Sequence, residues 1–265
     1  MSAVVVEGSG AVRRVRLNRP EKLNALNEDV RRGLAESFAR LADDVEVRIV
    51  VLEGEGRSFS AGADLSSDRG RGVEDAPWSV RRHAYGAWQR LLDLIESVPQ
   101  VTVARLHGHC IGGAALLAVA CDLRLGAADL SVRIPEVAIG IPLTWGGIPR
   151  LVREVGLPMA RDLVMTGRTL DAAEALSCGF VTRVVPAADL DAATDALVRD
   201  LVEMPDAPLQ MTRAMFSAIS RDLQGAAGWA DADLLAWSGR EPESLEAAAD
   251  YVRRRLQRPE ETPKS

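Results

Sequence analysis

The chain has 265 residues, of which 47% are apolar and 26% are charged, and its formal net charge is −6. This composition is that of an ordinary globular protein with one substantial core, and it excludes an intrinsically disordered chain. The acidic balance argues against a nucleic-acid-binding protein, which normally carries a surplus of lysine and arginine. We therefore expect no nucleic-acid partner.

The sequence also bears on the compartment and on metal binding. No apolar run reaches the roughly 18 residues that a membrane-spanning helix needs, and the N-terminus lacks the basic and apolar segments of a secretory signal. The three cysteines, Cys110, Cys121 and Cys178, have no CxxC spacing, so they predict neither a disulfide framework nor a zinc site. We expect a cytoplasmic protein with no membrane partner and no bound metal.

Short strands and helices alternate in the first part of the chain. Apolar runs at 3–7 and 12–17 flank Gly8-Ser9-Gly10, which is typical of a hairpin. Asn27 precedes apolar residues spaced by three or four, which predicts an N-capped amphipathic helix. Further strands are predicted at 47–52, 101–106, 123–125 and 130–134, a loop at 66–77, and a helix at 79–97. The pattern predicts an α/β core over residues 1–188.

The C-terminal part of the chain has a different pattern. Strand patterns stop near Asp189, and helices are predicted at 189–203, 209–221, 226–237 and 244–257. The last helix has one narrow apolar stripe, formed by Leu245, Ala249, Val252 and Leu256, which is too little for independent folding. We expect residues 189–265 to form a helical subdomain that packs on another surface.

Two glycine-containing stretches carry the strongest functional pattern. They are EGEGRSFSAGADL at 53–65 and LHGHCIGGAALLAVACD at 106–122, and each follows an apolar strand. In the second stretch Gly112 and Gly113 open an apolar helix, whose first turn leaves backbone N–H groups unpaired. Such groups can stabilise an oxyanion, although small residues at these positions are equally consistent with tight helix packing.

Together the motifs resemble the crotonase superfamily, the enoyl-CoA hydratase/isomerase family. Besides SFSAGADL at 58–65 and HGHCIGG at 107–113, the matching segments are RPEKLNAL at 19–26, Cys121-Asp122, Pro135-Glu136, Gly146-Gly147 and Arg150-Leu151. They occur in the family's order over about residues 4–257. The resemblance implies an α/β crotonase-like spiral of ββα units with a C-terminal helical subdomain for trimerisation.

The resemblance also implies roles for individual residues. The backbone N–H groups of Ala63 and Gly113 would bind the thioester oxygen of an acyl-CoA and stabilise an enolate. Glu136, in an otherwise apolar stretch, would be the catalytic carboxylate, the alternative being an exposed loop glutamate. CoA, as part of the substrate and not a cofactor, would contact Lys22, Leu23, Ala25, Ala61, Asp64 and Leu65. The acyl pocket would include Leu116, Thr144 and Trp145.

Two of the CoA-binding positions have simpler interpretations. Lys22 could equally be a solvated surface charge, and Asp64 could cap its own loop. Two histidines near the second glycine stretch, His107 and His109, are interpreted as packed or surface residues and not as bases. Asp122, at the end of the apolar helix, is interpreted as structural.

One position departs from the family pattern. Hydratases with two catalytic glutamates carry the second one three residues after the oxyanion-hole glycine, where this chain has Leu116. An apolar side chain can neither orient nor deprotonate water, so the sequence favours isomerisation of an enoyl-CoA double bond by Glu136 alone. The alternatives are an enoyl-CoA hydratase of the β-oxidation type and an acyl-CoA-binding protein without catalytic activity.

Aromatic residues and assembly complete the predictions. Trp78 and Trp88 lie in or after the variable loop, where core packing and contact with an acyl chain are equally consistent with the sequence. In the family the C-terminal helices build the trimer and close the acyl-CoA pocket. We therefore expect a homotrimer or a dimer of trimers.

Overall fold

The structure is a computed structural model that describes residues 2–64, 75–224, 228 and 230–257. Its strands are β1 (Val4–Glu7), β2 (Val12–Leu17), β3 (Ile49–Gly54), β4 (Val101–Leu106), β5 (His109–Ile111), β6 (Leu123–Ala127), β7 (Ser131–Arg133), β8 (Thr169–Asp171) and β9 (Arg183–Val185). Its helices are α1 (Glu28–Ala42), α2 (Trp78–Tyr85), α3 (Ala87–Ser97), α4 (Gly113–Val119), α5 (Gly147–Thr166), α6 (Ala172–Ser177), α7 (Leu190–Glu203), α8 (Asp206–Gln224), α9 (Asp231–Ser238) and α10 (Pro242–Gln257).

The strands form two sheets. The main sheet has the order β1-β2-β3-β4-β6-β9, and the second has the order β5-β7-β8. In the main sheet only the β1–β2 pair is antiparallel among the described strands, and the other pairs are parallel. The carboxyl ends of β3 and β4 therefore meet at one edge, and the two glycine-containing stretches leave the main sheet there.

Alternating side chains of β3 point into two apolar clusters. Val50 and Leu52 belong to the larger cluster, together with α1, α3, α4 and α5, while Ile49 and Val51 pack against α7 on the opposite face. All six positions of β3 are buried, because a parallel sheet with helices on both faces has no solvated side. The predicted α/β core is confirmed.

Helix α1 forms as the sequence predicts. The side chain of Asn27 accepts a 3.0 Å hydrogen bond from the amide of Val30 and so caps the first turn. The predicted apolar positions are all buried against the core: Val30, Leu34, Phe38 and Leu41.

The single helix predicted at 79–97 is wrong, because the structure has two helices that meet at Gly86. None of the eight residues of α2 is buried, whereas α3 buries Leu91, Leu92 and Ile95. A glycine lowers the cost of ending one helix and starting another where only the second packs on the core. The loop predicted at 66–77 lies mostly in 65–74, outside the described residues.

Helices α7 and α10 pack on two different parts of the molecule. Helix α7 packs its Leu190, Leu197 and Val198 on the main sheet, although the predicted boundary at 188 assigns it to the C-terminal part. Helix α10 begins against the short turn Val137–Ile139, and a Cβ on Gly140 would lie 2.9 Å from the Cα of Ser244. No helix within the described ranges is long and apolar enough to cross a membrane.

Candidate active site

The two glycine-containing stretches lie side by side. Ser60 and Cys110 form a parallel bridge, in which the Ser60 amide donates to the His109 carbonyl oxygen at 2.9 Å. Ala63 lies three residues after Ser60, and Gly113 lies three residues after Cys110. The pairing therefore carries both residues to the same edge of the molecule, as the resemblance implies.

The amides of Ala63 and Gly113 differ from their neighbours in hydrogen bonding. The Asp64 amide donates to the Leu26 carbonyl oxygen at 2.9 Å, and the Gly112 amide donates to a β7 carbonyl oxygen at 2.7 Å. Within the described part of the chain, the amides of Ala63 and Gly113 donate to no protein acceptor. Two N–H groups at one edge, one of them at a helix start, can bind a negatively charged oxygen.

Glu136 places its carboxylate against Gly112, the residue before Gly113. It follows the buried residues Ile134 and Pro135 and enters the turn Val137–Ile139, where its carbonyl oxygen accepts from the Ile139 amide at 3.1 Å. A Cβ on Gly112 would lie only 2.5 Å from the Glu136 Oε1 atom. Glycine at 112 therefore makes room for the carboxylate, and its φ of 55° is one that other residues rarely adopt.

Trp145 packs against the same short segment. A Cβ on Gly113 would lie 2.6 Å from Cη2 of the Trp145 ring and nearer still to Cζ3. The indole also stacks on Trp88, with ring centroids 4.7 Å apart and planes inclined by 10°. Trp88 and Trp145 both pack on the core, so the core interpretation is confirmed for Trp88, while contact with an acyl chain stays a prediction.

Two buried charged residues fix the backbone around Trp145. Trp145 has a φ of 63°, a strained value for a residue with a side chain. Arg150, which is 1% exposed, donates from Nη1 to the Trp145 carbonyl oxygen at 2.7 Å. Asp231 accepts from the Gly146 amide at 2.6 Å, and burial raises the pKa of its carboxyl group. Sequence patterns gave no sign of Asp231, because its partner lies 85 positions away.

Comparison with known proteins identifies the family. The family model described as enoyl-CoA hydratase/isomerase matches residues 7–258. This chain belongs to the enoyl-CoA hydratase/isomerase family. It is 33% identical over 225 residues to a probable enoyl-CoA hydratase of Mycobacterium tuberculosis, covering 83% of this chain and 85% of that protein.

A second relative is named for a different reaction. The chain is 34% identical over 230 residues to the human mitochondrial Delta(3,5)-Delta(2,4)-dienoyl-CoA isomerase, covering 81% of this chain and 70% of that protein. Among solved structures, an enoyl-CoA hydratase from Mycobacterium avium subsp. paratuberculosis superposes with a TM-score of 0.84 at 27% identity, covering 95% of this chain and 96% of that one. The crotonase fold is thus confirmed, and the relatives include both a hydratase and an isomerase.

Leu116, where two-glutamate hydratases of the family carry a carboxylate, lies inside the core. It is 1% exposed, and a Cβ on Gly147 would lie 2.9 Å from its Cδ1 and equally close to Leu143 Cγ. Thr144, also predicted for the acyl pocket, is buried, and its carbonyl oxygen accepts from the Gly147 amide at 3.0 Å. Leu116 therefore faces packed apolar atoms on the side of Leu143 and Gly147.

The segments predicted to contact CoA are joined to each other. The Ala61 amide donates to the Leu23 carbonyl oxygen at 2.8 Å, and Leu26 forms a parallel bridge with Ala63. Ala25 lies between these two links and is half-buried. The predicted positions Leu23, Ala25 and Ala61 thus share one edge with the Ala63 amide, and Leu65 lies outside the described residues.

Asp64 and Lys22 have different surroundings. Asp64 is buried and forms a 2.9 Å ion pair with Arg19, whose Nη1 also donates to the Ala25 carbonyl oxygen at 2.6 Å. Lys22 is exposed at the end of the turn Pro20–Lys22, and it forms no ion pair with a described residue. The Asp64 carboxylate therefore ties the two segments together, while the Lys22 ammonium faces solvent.

The sequence prediction missed Asn24, which organises these loops. Its side chain is fully buried, accepts from the Arg19 amide at 2.9 Å, and donates to the carbonyl oxygens of Glu55 and Ser58 at 2.8 Å each. Asn24 has a φ of 54°, which asparagine tolerates better than most residues. The sequence feature that could have identified Asn24 is its place inside the RPEKLNAL motif.

The remaining polar candidates are structural. His107 is buried between the Gly56 carbonyl oxygen at 2.8 Å and Arg105 at 3.1 Å, and burial lowers its pKa. His109 is exposed on β5. Asp122 accepts from the backbone and the hydroxyl of Thr102 at 2.7 and 2.8 Å. Among the described residues no group of three histidines, cysteines or carboxylates could hold a metal ion.

Proposed function

We propose that this enzyme moves the double bond of an enoyl-CoA thioester between neighbouring positions. The observation that carries the proposal is the placement of the Glu136 carboxylate against Gly112, the residue before Gly113, whose amide has no protein acceptor in the described part of the chain. A base beside an oxyanion site is what removal of a proton next to a thioester carbonyl requires.

The proposed reaction conserves every atom of the substrate. The amides of Ala63 and Gly113 hold the thioester oxygen while Glu136 removes a proton from the carbon next to the carbonyl group. The electron pair passes into the carbonyl group and forms an enolate conjugated with the original double bond. Protonated Glu136 then returns the proton to the far carbon of that conjugated system, so a 3-enoyl thioester becomes a 2-enoyl thioester. Each amide would contribute ~3 kcal/mol to the transition state.

In this proposal the substrate binds along the edge where the segments 19–26 and 53–65 are joined by backbone hydrogen bonds. Leu23, Ala25 and Ala61 would contact the CoA moiety through backbone groups, and Lys22 would approach a phosphate. Asp64 would act through its ion pair with Arg19, which holds that edge in place. No cofactor is needed, because the substrate supplies both the thioester and the double bond.

Hydration of a 2-enoyl-CoA is the second candidate, and the relative named as a probable enoyl-CoA hydratase favours it. Hydration needs a group that orients water and removes its proton as it attacks. Leu116 carries no group that could do so, and its side chain packs on Leu143 and Gly147. The apolar side chain at this position is the reason that we prefer isomerisation.

The decisive experiment gives the purified enzyme 3-enoyl-CoA and 2-enoyl-CoA substrates separately and quantifies the isomer and the 3-hydroxyacyl-CoA formed. We expect rapid exchange of isomers and little hydroxyacyl product. In Glu136→Gln, which keeps the shape of the side chain, turnover should fall by ~10²-fold or more while acyl-CoA binding persists. Glu46→Gln, at an exposed position before β3, is the matched control.

The other outcomes assign the alternatives. Fast formation of 3-hydroxyacyl-CoA by the unmodified enzyme would establish hydration and contradict our proposal. Tight acyl-CoA binding without either product would identify a binding protein. Unchanged isomerisation in Glu136→Gln would show that another group carries the proton.

A further inference from the structure

The indole of Trp145 lies directly against Gly113. A thioester oxygen bound by the Gly113 amide places the rest of the acyl group within a few atoms of Gly113. The six-membered ring of Trp145 is already in contact with this glycine, closely enough that even a methyl group on Gly113 would overlap it. The ring therefore takes up space beside the oxyanion site.

Contacts with Trp88 and Arg150 hold the Trp145 ring in place. Trp88 from α3 stacks on it with nearly parallel planes, and such an aromatic pair gains energy beyond simple burial. The backbone of Trp145 is held by Arg150, whose other guanidinium nitrogen bonds to Asp93 and Glu96 at 2.6 and 2.7 Å. Moving the indole would break the stack and disturb this buried network. Its position is consequently a fixed property of the pocket.

The next turn of the helix beside the ring is also packed. One turn after Gly113, Leu116 packs against Leu143 and Gly147 in the described core, so the helix face next to the ring is closed. Trp145 therefore places rigid apolar atoms beside Gly113, and Leu116 continues the apolar packing one turn further along the helix. A short acyl group would fit beside the ring, whereas a long one would have to displace the indole.

We propose that Trp145 determines acyl-chain length and restricts this enzyme to short-chain acyl-CoA thioesters, with Arg150 as the residue that positions it. This inference rests on the proposed function, because it uses the oxyanion role of Gly113. It adds a substrate class that neither the family assignment nor the reaction type specifies.

The experiment compares binding of two saturated thioesters, butyryl-CoA and decanoyl-CoA, to the unmodified protein, Trp145→Ala and Trp145→Phe by titration calorimetry. Saturated thioesters cannot isomerise, so the measurement is independent of the reaction. The unmodified protein should prefer butyryl-CoA. Trp145→Ala should shift the ratio of dissociation constants toward decanoyl-CoA by ~10-fold or more, and Trp145→Phe by a smaller factor in the same direction.

Trp237→Ala is the control, since it removes an indole that is 65% exposed on α9, and it should leave the ratio unchanged. Equal or tighter binding of decanoyl-CoA by the unmodified protein would overturn the inference, and so would an unchanged ratio in Trp145→Ala. Should Trp145→Ala fail to fold, Trp145→Phe decides by the same criterion. A shifted ratio in an enzyme that lacks isomerase activity would refute the proposed reaction and leave the length limit standing.

Discussion

Asp231, the first residue of α9, accepts a 2.6 Å hydrogen bond from the backbone amide of Gly146. This bond joins a C-terminal helix to the loop that holds Trp145 in the same chain. Two residues further along α9, Asp233 accepts from the Trp78 indole at 3.0 Å and from Arg82 at 3.2 Å on α2. Helix α9 is therefore attached both to the loop of Trp145 and to α2.

Replacing Asp231 by alanine should destabilise the fold. The change leaves the Gly146 amide buried without an acceptor, which costs about 1–3 kcal/mol in the free energy of unfolding. Asp231→Asn keeps a carbonyl oxygen for this amide and should lose much less. Urea unfolding of the three proteins measures the difference, and equal losses in both variants would show that the hydrogen bond contributes nothing.

The same carboxylate should make stability depend on pH. Burial raises the pKa of Asp231 above its ordinary value of 3.8, so the folded protein holds this proton at pH values where the unfolded chain has lost it. The contribution of protonated Asp231 to the free energy of unfolding is complete below pH 3.8. It is lost as the pH rises through the higher pKa that this group has in the folded protein.

Asp231→Asn removes this titration while all other groups remain. The melting temperature of Asp231→Asn relative to the unmodified protein should therefore be highest at neutral pH and decrease as the pH falls toward 3.8. Thermal scans across this range provide the measurement. A difference between the two proteins that stays constant with pH would contradict the assigned effect of burial.

Local patterns predicted the parts of the molecule that local physics determines. The cap at Asn27, the buried strand β3 and the glycine opening of α4 follow from residue type and spacing, and motif resemblance added Ala63, Gly113 and Glu136. The contact of Trp145 with Gly113 and the bond from Gly146 to Asp231 depend on long-range packing. Three-residue strands such as β5 and β8 also escaped prediction, because pairing with β7 stabilises them and their own sequences do not.

Gly112→Ala should displace the proposed base, Glu136. The new methyl group would lie 2.5 Å from Glu136 Oε1, so the carboxylate has to move away from Gly112. Turnover should fall by ~10-fold or more, as expected when a base loses its geometry. Gly10→Ala is a control for a positive φ, since Gly10 has a φ of 58° and open space around it. Gly10→Ala should lose about 1 kcal/mol in the free energy of unfolding through backbone strain, and it should keep full activity.

Gly113→Ala and Trp145→Ala should be strongly non-additive. Alone, the methyl group at 113 overlaps the Trp145 ring and should destabilise the fold by about 1–3 kcal/mol through overpacking. In the Trp145→Ala background the ring is gone, so the same methyl group should cost little. Unfolding free energies of the four proteins give the coupling energy, which should exceed about 1 kcal/mol. Additive changes would place the ring away from Gly113.

Assembly can be tested on α8, whose outer face is apolar. Met211, Met215, Phe216 and Ile219 project from this helix with exposures from 57% for Ile219 to 70% for Met215. An exposed apolar patch of this kind marks a contact surface, and we propose that it is covered in a homotrimer or a dimer of trimers.

Met215→Glu should therefore lower the molar mass measured by light scattering at micromolar concentration, because it places a charge in the covered surface. Val45→Glu makes a comparable exchange at a site that is 89% exposed before β3, and it should leave the molar mass unchanged. If the unmodified protein already has the mass of one chain, 28.5 kDa, the proposed assembly is wrong. If Met215→Glu stays trimeric, the contact lies on another face, and the apolar residues of α8 need a different explanation.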